Sequence, residues 1–412
     1  MSVLDQARAV LLAQPLCNDC LGRQFAKLGH GLSNAKRGQA LRVAVCLEDN
    51  VDISCEPNPC PLCLSYFSQI HPKARQAVSL LEDWEFERYL MGTRVPEFLN
   101  EAEARLRQTL ALTHGEPLKQ SYNREVGKAF GALLGERGRQ VEVDFEHPEV
   151  LVTVDLIWDK VSVHVNPLYV FGRYRKLLRG IPQTHWPCGR CKGKGCDACN
   201  HSGAQYPQSV ESLIGAPLQA LCEGQTHVLH GAGREDIDAR MLGRGRPFVL
   251  EIKQPRRRFL DWDQVSIQIN QAAQGKVQVR DLQPVYGNVV GAIKEKNAQK
   301  CYRMRIALDD AVDETSFHSA LQSLVGTIEQ RTPQRVAHRR ADRVRKRQLM
   351  EIEGQLLDAN SAQVALRGAG GLYVKELISG DGGRTTPSLA AALGVACRVT
   401  ELDVTDILGD FL

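Results

Sequence analysis

Thirteen cysteines are spread over 412 residues, and eight of them fall in four C-x-x-C pairs: Cys17/Cys20, Cys60/Cys63, Cys188/Cys191 and Cys196/Cys199. An odd cysteine count in such knuckles indicates metal binding by reduced thiols over a disulfide framework. Tetrahedral zinc takes four thiolates or imidazoles, and each knuckle supplies two of them. The first two pairs are far apart, but the insert NAKRGQALRVAVCL reads as a helix that can fold back and join them. Cys17, Cys20, Cys60 and Cys63 are therefore expected to form one zinc site. Cys46 and Cys55 stand nearby as substitute ligands or bystanders, and the alternative is two unrelated helix-cap pairs.

The other two pairs sit in CGRCKGKGCDACNHSG, only four residues apart. Gly193 and Gly195 permit the tight reversal this spacing needs, and Arg190, Lys192 and Lys194 make the resulting finger cationic. Cys188, Cys191, Cys196 and Cys199 are expected to hold a second zinc, with an iron–sulfur cluster or a redox pair as alternatives. The piece is also similar to the cysteine-rich repeats of J-domain co-chaperones.

The chain is long enough for two or three domains. It has no apolar run of roughly 18 residues or more, and its opening MSVLDQARAVLLAQPLC carries an acid and no cationic flank. A cytoplasmic protein without a membrane partner is expected. The net charge is only +4, so any nucleic-acid partner must be met by local clusters. Three are present. Arg173, Arg175, Lys176 and Arg179 form the first; Lys253 and Arg256 to Arg258 the second. The third runs from Arg331 to Arg347, includes Arg335, Arg339 and Arg340, and is interrupted only by Asp342. A single cluster reads as a solvated face, whereas three together suit phosphates.

Residues 1–70 read as short helices around the first cysteine set. From Pro72 to about Gly138 the period is helical, as in PEFLNEAEARLRQTLALT and SYNREVGKAFGALLGERG. It then becomes two in VEVDF, VLVTVDLIW and VSVHV, the last two meeting in a hairpin at Asp159-Lys160. Residues 71–182 are thus expected to form a small α+β module whose exit, FGRYRKLLRGIPQT, interleaves arginines with aromatics as RNA binding requires. Residues 183–204 form the cysteine-rich linker. Over 205–412 strands and helices alternate, predicting an α+β domain with an extensive, largely antiparallel mixed sheet flanked by helices.

In that last region HGAGREDIDARM, His230 to Met241, gathers Arg234 and three acids behind a glycine turn, with Arg240 following. Gly231 and Gly233 allow unusual backbone angles, and Arg234 is placed to keep a neighbouring carboxylate ionised. Asp236 and Asp238 both qualify as that carboxylate. Tyr302 on the strand CYRMRIAL and Lys375 in GGLYVKELISG could meet Asp236 in one cleft. Read alone, Tyr302 alternates with Met304 and Ile306 and looks like core, and Lys375 looks like a solvated helix lysine.

GREDIDARM is similar to the signature that carries the essential aspartate of pseudouridine synthases, where a Gly-Arg-x-Asp core recurs. Beyond that loop, LCNDCLGRQFAKLGHGLSNAKRG, FGRYRKLLRGIPQTHWPC, QRTPQRVAHRR, YVKELISGDGGRTTPS and TELDV resemble the archaeal-type tRNA pseudouridine synthases, family ten. The resemblance implies an N-terminal zinc-binding and THUMP-type (thiouridine synthase, methyltransferase and pseudouridine synthase) RNA-binding part, then a catalytic domain. It implies action on T-loop uridines of tRNA, at position 55 and in many members 54, without an organic or nucleotide cofactor. By the same resemblance Asp236 is the nucleophile, Tyr302 the stacking aromatic, Tyr373 a second substrate contact and Lys375 the cation paired with Asp236, leaving Asp238 and Arg240 to brace the loop. Attack at base C6 and attack at ribose C1′ both remain open. A target base stacked in RNA must be flipped out to be reached, which suits an aromatic-lined pocket.

Two other functions compete. A non-catalytic THUMP-type tRNA-binding chaperone would not need the retained catalytic-type residues. A THUMP-bearing methyltransferase or sulfur-transfer enzyme would need a nucleotide-binding glycine loop, and GAGGLYVK has no phosphate-binding pattern. The chain is expected to act as a monomer on the T arm.

Overall fold

The computed structural model describes residues 2–52, 56–338 and 340–412; Cys55 and Arg339 lie outside them. The chain divides into two compact units, Met1–Asn166 and Pro167–Leu412. None of the described helices is long and apolar enough to cross a membrane.

The first unit opens with α1 (Val3–Ala13), α2 (Asn18–Arg23) and α3 (Asn34–Asp49). Ser2 and Ser33 cap α1 and α3, each hydroxyl accepting an amide proton three residues on. Then follow α4 (Ile70–Leu80), β1 (Arg88–Arg94), α5 (Glu97–Thr109), α6 (Leu118–Glu136), β2 (Glu142–Val143), β3 (Val150–Asp155) and β4 (Lys160–Val165). The strands form one sheet in the order β2-β1-β3-β4, with β1 parallel to both neighbours and β3–β4 the expected hairpin. Strand β1 interrupts the stretch read from periodicity as helical. Its Tyr89, Met91 and Thr93 are buried and alternate with less buried neighbours, a period-two pattern short enough to be lost between two long helices. Val150, Val152 and Val154 of β3 are buried against Tyr122, Val126 and Phe130 of α6. Leu99 and Leu106 of α5 pack with Leu16, Leu21 and Phe25, so the cysteine module and the sheet share one unit.

The second unit holds β5 (Leu168–Lys176), α7 (Val210–Leu221), β6 (Thr226–Gly231), β7 (Ala239–Lys253), α8 (Trp262–Ala272), β8 (Val277–Val285), α9 (Val289–Glu295) and β9 (Lys300–Leu308). It continues through α10 (Glu314–Ser323), β10 (Gly326–Arg331), β11 (Val344–Asp358), β12 (Ser361–Gly368), α11 (Val374–Ser379), β13 (Thr385–Thr386), α12 (Leu389–Leu393) and β14 (Cys397–Ile407). The strand order is β13-β10-β11-β12-β9-β14-β7-β5-β8, with β6 also on β7. Among the described pairings of this sheet only β7–β14 is parallel, so the largely antiparallel mixed sheet flanked by helices is as expected.

The expected RNA-binding module ran to residue 182, but the first unit ends at Asn166. The reason is β5, whose two edges bond β7 and β8; a strand satisfied on both sides cannot also extend the four-stranded sheet. The first basic cluster therefore belongs to the second unit. The fifteen-residue β7 changes neighbours along its length: Ala239 to Met241 pair with β14, while Arg246 to Lys253 pair with β5 and β6. The loop 232–238 leads into this strand from β6.

Candidate active site

The glycine turn closes β6 against a crowded floor. Gly233 has φ +83°, and a side chain there would press on Arg246 Nη1 and Lys300 Nζ. At Gly231 a Cβ would come 2.9 Å from both Gln183 Nε2 and Gly233 O. Small residues let the loop descend onto buried polar groups.

Beneath the loop lies Glu235, 6% exposed, which accepts from Arg246 Nε at 2.7 Å and from the Tyr174 hydroxyl at 2.9 Å. Gln183 Nε2 donates to that hydroxyl and to Gly233 O. Arg246 Nη1 donates to Ala232 O at 2.8 Å. Lys176 donates to Ile181 O, Asp236 O and Ile237 O at 2.8, 3.1 and 3.1 Å. A buried charge is tolerated only when paired and hydrogen-bonded, and here each satisfied charge fixes a loop backbone atom.

On the open side Asp236 faces a cavity of about 510 Å³. Its Oδ1 accepts from Arg335 Nη1 at 3.2 Å and its Oδ2 lies 3.3 Å from Lys375 Nζ. Both cations are oriented by neighbours. Arg335 Nε is anchored at 2.6 Å on Glu376, which is buried beside Lys375 on α11. Lys375 also holds both Asp238 oxygens, at 2.9 and 2.8 Å. Burial opposes ionisation of Asp238, but the Lys375 ammonium outweighs it and holds that carboxyl below the usual range. Helix α11 is set by Gln330, whose side chain exchanges two hydrogen bonds with the Tyr373 backbone at 2.9 and 2.8 Å.

Tyr302 and Tyr373 line the same cavity. Burial pushes the Tyr302 hydroxyl up to about 12, with the Asp236 charge adding to the rise, so the ring is a neutral face at physiological pH. The Tyr373 hydroxyl is 3.1 Å from Arg340 Nη1. Arg234, also in the wall, places its guanidinium 5.1 Å from the Trp186 ring centre.

The structure thus gathers Arg234, Asp236, Tyr302, Arg335, Arg340, Tyr373 and Lys375 around one cavity. Arg335 enters as a partner of the Asp236 carboxylate, a place the sequence had suggested for Arg234 and Lys375. Lys176, expected to meet RNA, is fully buried and spends its ammonium on loop carbonyls, so it is a scaffold residue. Arg179 is half-buried on Asp403 at 2.7 Å and on Asp238 O at 2.9 Å. Arg240 grips the same Asp403 at 2.6 Å, which braces the start of β7. Arg173 and Arg175 donate to Gly245 O and Gly243 O.

Sequence reading missed Glu235, Arg246 and Lys300. The signal for the pair was Arg246 inside the apolar strand RPFVLEI, since a cation there demands a buried acid. Lys300 opens β9 two residues before Tyr302 and lines the cavity; burial, aided by the Arg246 charge, pushes its ammonium down to about 8.

The cysteines converge as two sets of four, the sulfurs of each within 4.8 Å of one another. Cys17 and Cys63 Sγ are 3.7 Å apart, Cys191 and Cys199 3.8 Å, Cys196 and Cys199 3.7 Å. Four sulfurs about 2.3 Å from a central zinc lie roughly 3.8 Å apart, so both sets fit that ion. Amides of Gly195, Cys196 and Gly203 point at sulfurs of the second set at 3.2 to 3.3 Å, as thiolates require. Cys46 is buried outside the first set.

Comparison with known proteins identifies the family. The family described as Pus10, C-terminal, matches residues 169–408, and the Pus10 THUMP domain, archaeal, matches 73–155. The tRNA pseudouridine synthase Pus10 of Halorubrum lacusprofundi is 45% identical over 420 residues, covering 100% of this chain and 97% of that protein. Its counterpart in Methanothrix thermoacetophila is 40% identical, covering 99% and 95%. That of Pyrococcus furiosus is 37% identical, covering 99% and 98%. Similarity of this depth along the whole chain establishes that it belongs to the Pus10 family of tRNA pseudouridine synthases, which are isomerases.

Proposed function

We propose that this enzyme isomerises uridine 55, and uridine 54, in the T loop of tRNA, with Asp236 as nucleophile and no organic cofactor. The observation that carries the assignment is the Asp236 carboxylate at the cavity, held by Arg335 and Lys375 at 3.2 and 3.3 Å. Two cations flank it, and a carboxylate so placed can attack an electrophilic carbon of the nucleotide. The flipped uridine stacks on Tyr302 and meets the Tyr373 hydroxyl. Asp236 bonds covalently to the nucleotide, the N1–C1′ bond breaks, and the uracil turns about within the cavity. C5 then bonds C1′, the C5 proton leaves to solvent, N1 takes up a proton and Asp236 is released. Lys375 also holds Asp238, so the bridging ammonium fixes the loop while Asp236 engages the substrate. Arg173, Arg175 and Arg340 contact the T arm. Each four-cysteine set holds one structural zinc.

Pseudouridine mapping on unmodified tRNA, paired with tritium release from C5-labelled uridine, tests this reading. Wild-type protein releases tritium without ATP or S-adenosylmethionine and marks positions 54 and 55. Asp236→Asn abolishes release while tRNA binding stays within a few-fold. Release persisting in that variant moves the nucleophile elsewhere, with Asp238 next in line.

A further inference from the structure

The segment bearing Cys188, Cys191, Cys196 and Cys199 has no part in the chemistry above, and its placement suggests a use. It leaves the fold between β5 and α7 and returns on itself. Cys188 N donates to Gly203 O at 2.7 Å, Gln205 N to Trp186 O at 2.8 Å, and Pro187 bridges Ala204. The base of this finger is therefore the Trp186 segment. Trp186 is also a wall of the catalytic cavity, packed edge-on against Tyr206 at 5.6 Å and covered by Arg234 at 5.1 Å. The finger is rooted in the rim of the active site.

Its body is a turn with almost no apolar content. Lys192 at φ 52°, Gly193 at 92° and Gly195 at 89° carry the reversal. Arg190, Lys192 and Lys194 are all exposed, and none is in an ion pair or hydrogen bond through its side chain with a described residue. The acid nearby, Asp197, already has His201 at 3.1 Å. A zinc tetrathiolate is doubly anionic and its sulfurs take amide donors, while Arg190, Lys192 and Lys194 are the cations the finger exposes, with the Asp197 carboxylate exposed beside them.

We propose that this finger is an RNA-docking arm: Arg190, Lys192 and Lys194 grip the tRNA sugar–phosphate backbone beside the flipped uridine. Unpaired cations on a metal-stiffened turn suit phosphate contacts, because such contacts fix position without reading sequence. The arm would hold the strand next to the cavity in register while Asp236 acts. The proposal rests on the reading of that cavity as the uridine site, but its test does not need turnover.

The test is the binding of an unmodified tRNA transcript to the full chain across a salt series, for wild type and for Arg190→Gln/Lys192→Gln/Lys194→Gln. Three lost phosphate contacts flatten the slope of log K against log salt by about 2 to 3. They weaken binding about ten- to a hundredfold near 50 mM salt, with the curves converging as salt rises. Zinc content stays as in wild type, because none of the three residues is among the four cysteines. Cys199→Ser, which loosens the turn and keeps the cations, gives a smaller loss with an unchanged slope. Wild-type affinity and slope in the triple variant overturn the arm, whatever its activity. Normal binding with no pseudouridine from wild-type protein would fault the active-site reading alone.

Discussion

Arg335 Nη1 reaches Asp236 Oδ1 at 3.2 Å across 99 residues of sequence, with Nε of the same guanidinium anchored on Glu376. The bond draws the basic run after β10 into the cavity that Asp236 faces. Removing a charged hydrogen-bond partner costs about 1.5 to 3 kcal/mol, so Arg335→Ala lowers kcat about ten- to a hundredfold. Arg335→Lys recovers only part of the loss, since an ammonium cannot span Glu376 and Asp236 with one planar fork. Multiple-turnover tritium release at saturating tRNA measures this. A change confined to tRNA affinity would make Arg335 a phosphate contact instead.

The Glu235–Arg246 pair lies in the floor of the loop, both residues almost fully buried. Breaking a buried pair leaves one charge uncompensated, at about 3 to 5 kcal/mol. Glu235→Ala and Arg246→Met each lower the unfolding free energy by that order in denaturant titration. The double variant loses less than the two combined. Additive losses would show that the residues do not depend on each other.

Lys300 gives a pH signature. Its folded-state value of about 8 lies below the ordinary lysine value of roughly 10.4, so between these limits the unfolded chain holds a proton that the folded one lacks. Stability therefore rises with pH across that window, and the full penalty remains below pH 8. Lys300→Met removes the penalty, raising Tm at pH 7, and its advantage shrinks as pH approaches 10. Thermal melts at the two pH values compare the proteins; an advantage that grows with pH contradicts the assignment.

Metal analysis of the full chain should return about two zinc ions, one for each four-cysteine set. Cys63→Ser loses one and lowers the melting transition of the first unit; Cys196→Ser loses the other and leaves that transition in place. One ion in wild type, unaffected by Cys196→Ser, would leave the second set as free thiols.

Much of the site was legible because the motifs are local. Gly233, Arg234 and Asp236 sit on one turn, and Tyr373 with Lys375 on one helix start, and it was the resemblance of these short motifs to the family that singled out Tyr373 and Lys375. What stayed hidden was long-range or inward-facing. Nothing in REDID says which acid turns down, and only the strand carrying Arg246 shows that Glu235 does. Lys176 looked like its neighbours Arg173 and Arg175, yet strand alternation sends it to the buried face. The same limit hid β1, whose seven residues lie between two strong helical patterns.

Strand β14 lies between β9 and β7, near the middle of its sheet, although in chain order it follows all the other described strands. During synthesis, the β13-β10-β11-β12-β9 half and the β7-β5-β8 half have no ladder joining them until residues 397–407 emerge. Asp236 lies on the loop before β7 and Tyr302 on β9, so the proposed nucleophile and the proposed stacking ring belong to opposite halves. A ribosome-bound chain stopped at residue 396 would carry every side chain lining the Asp236 cavity except those of β14 and the residues after it, without the strand that brings the two halves together. The cavity would then be completed late and in one step, as β14 docks between β9 and β7.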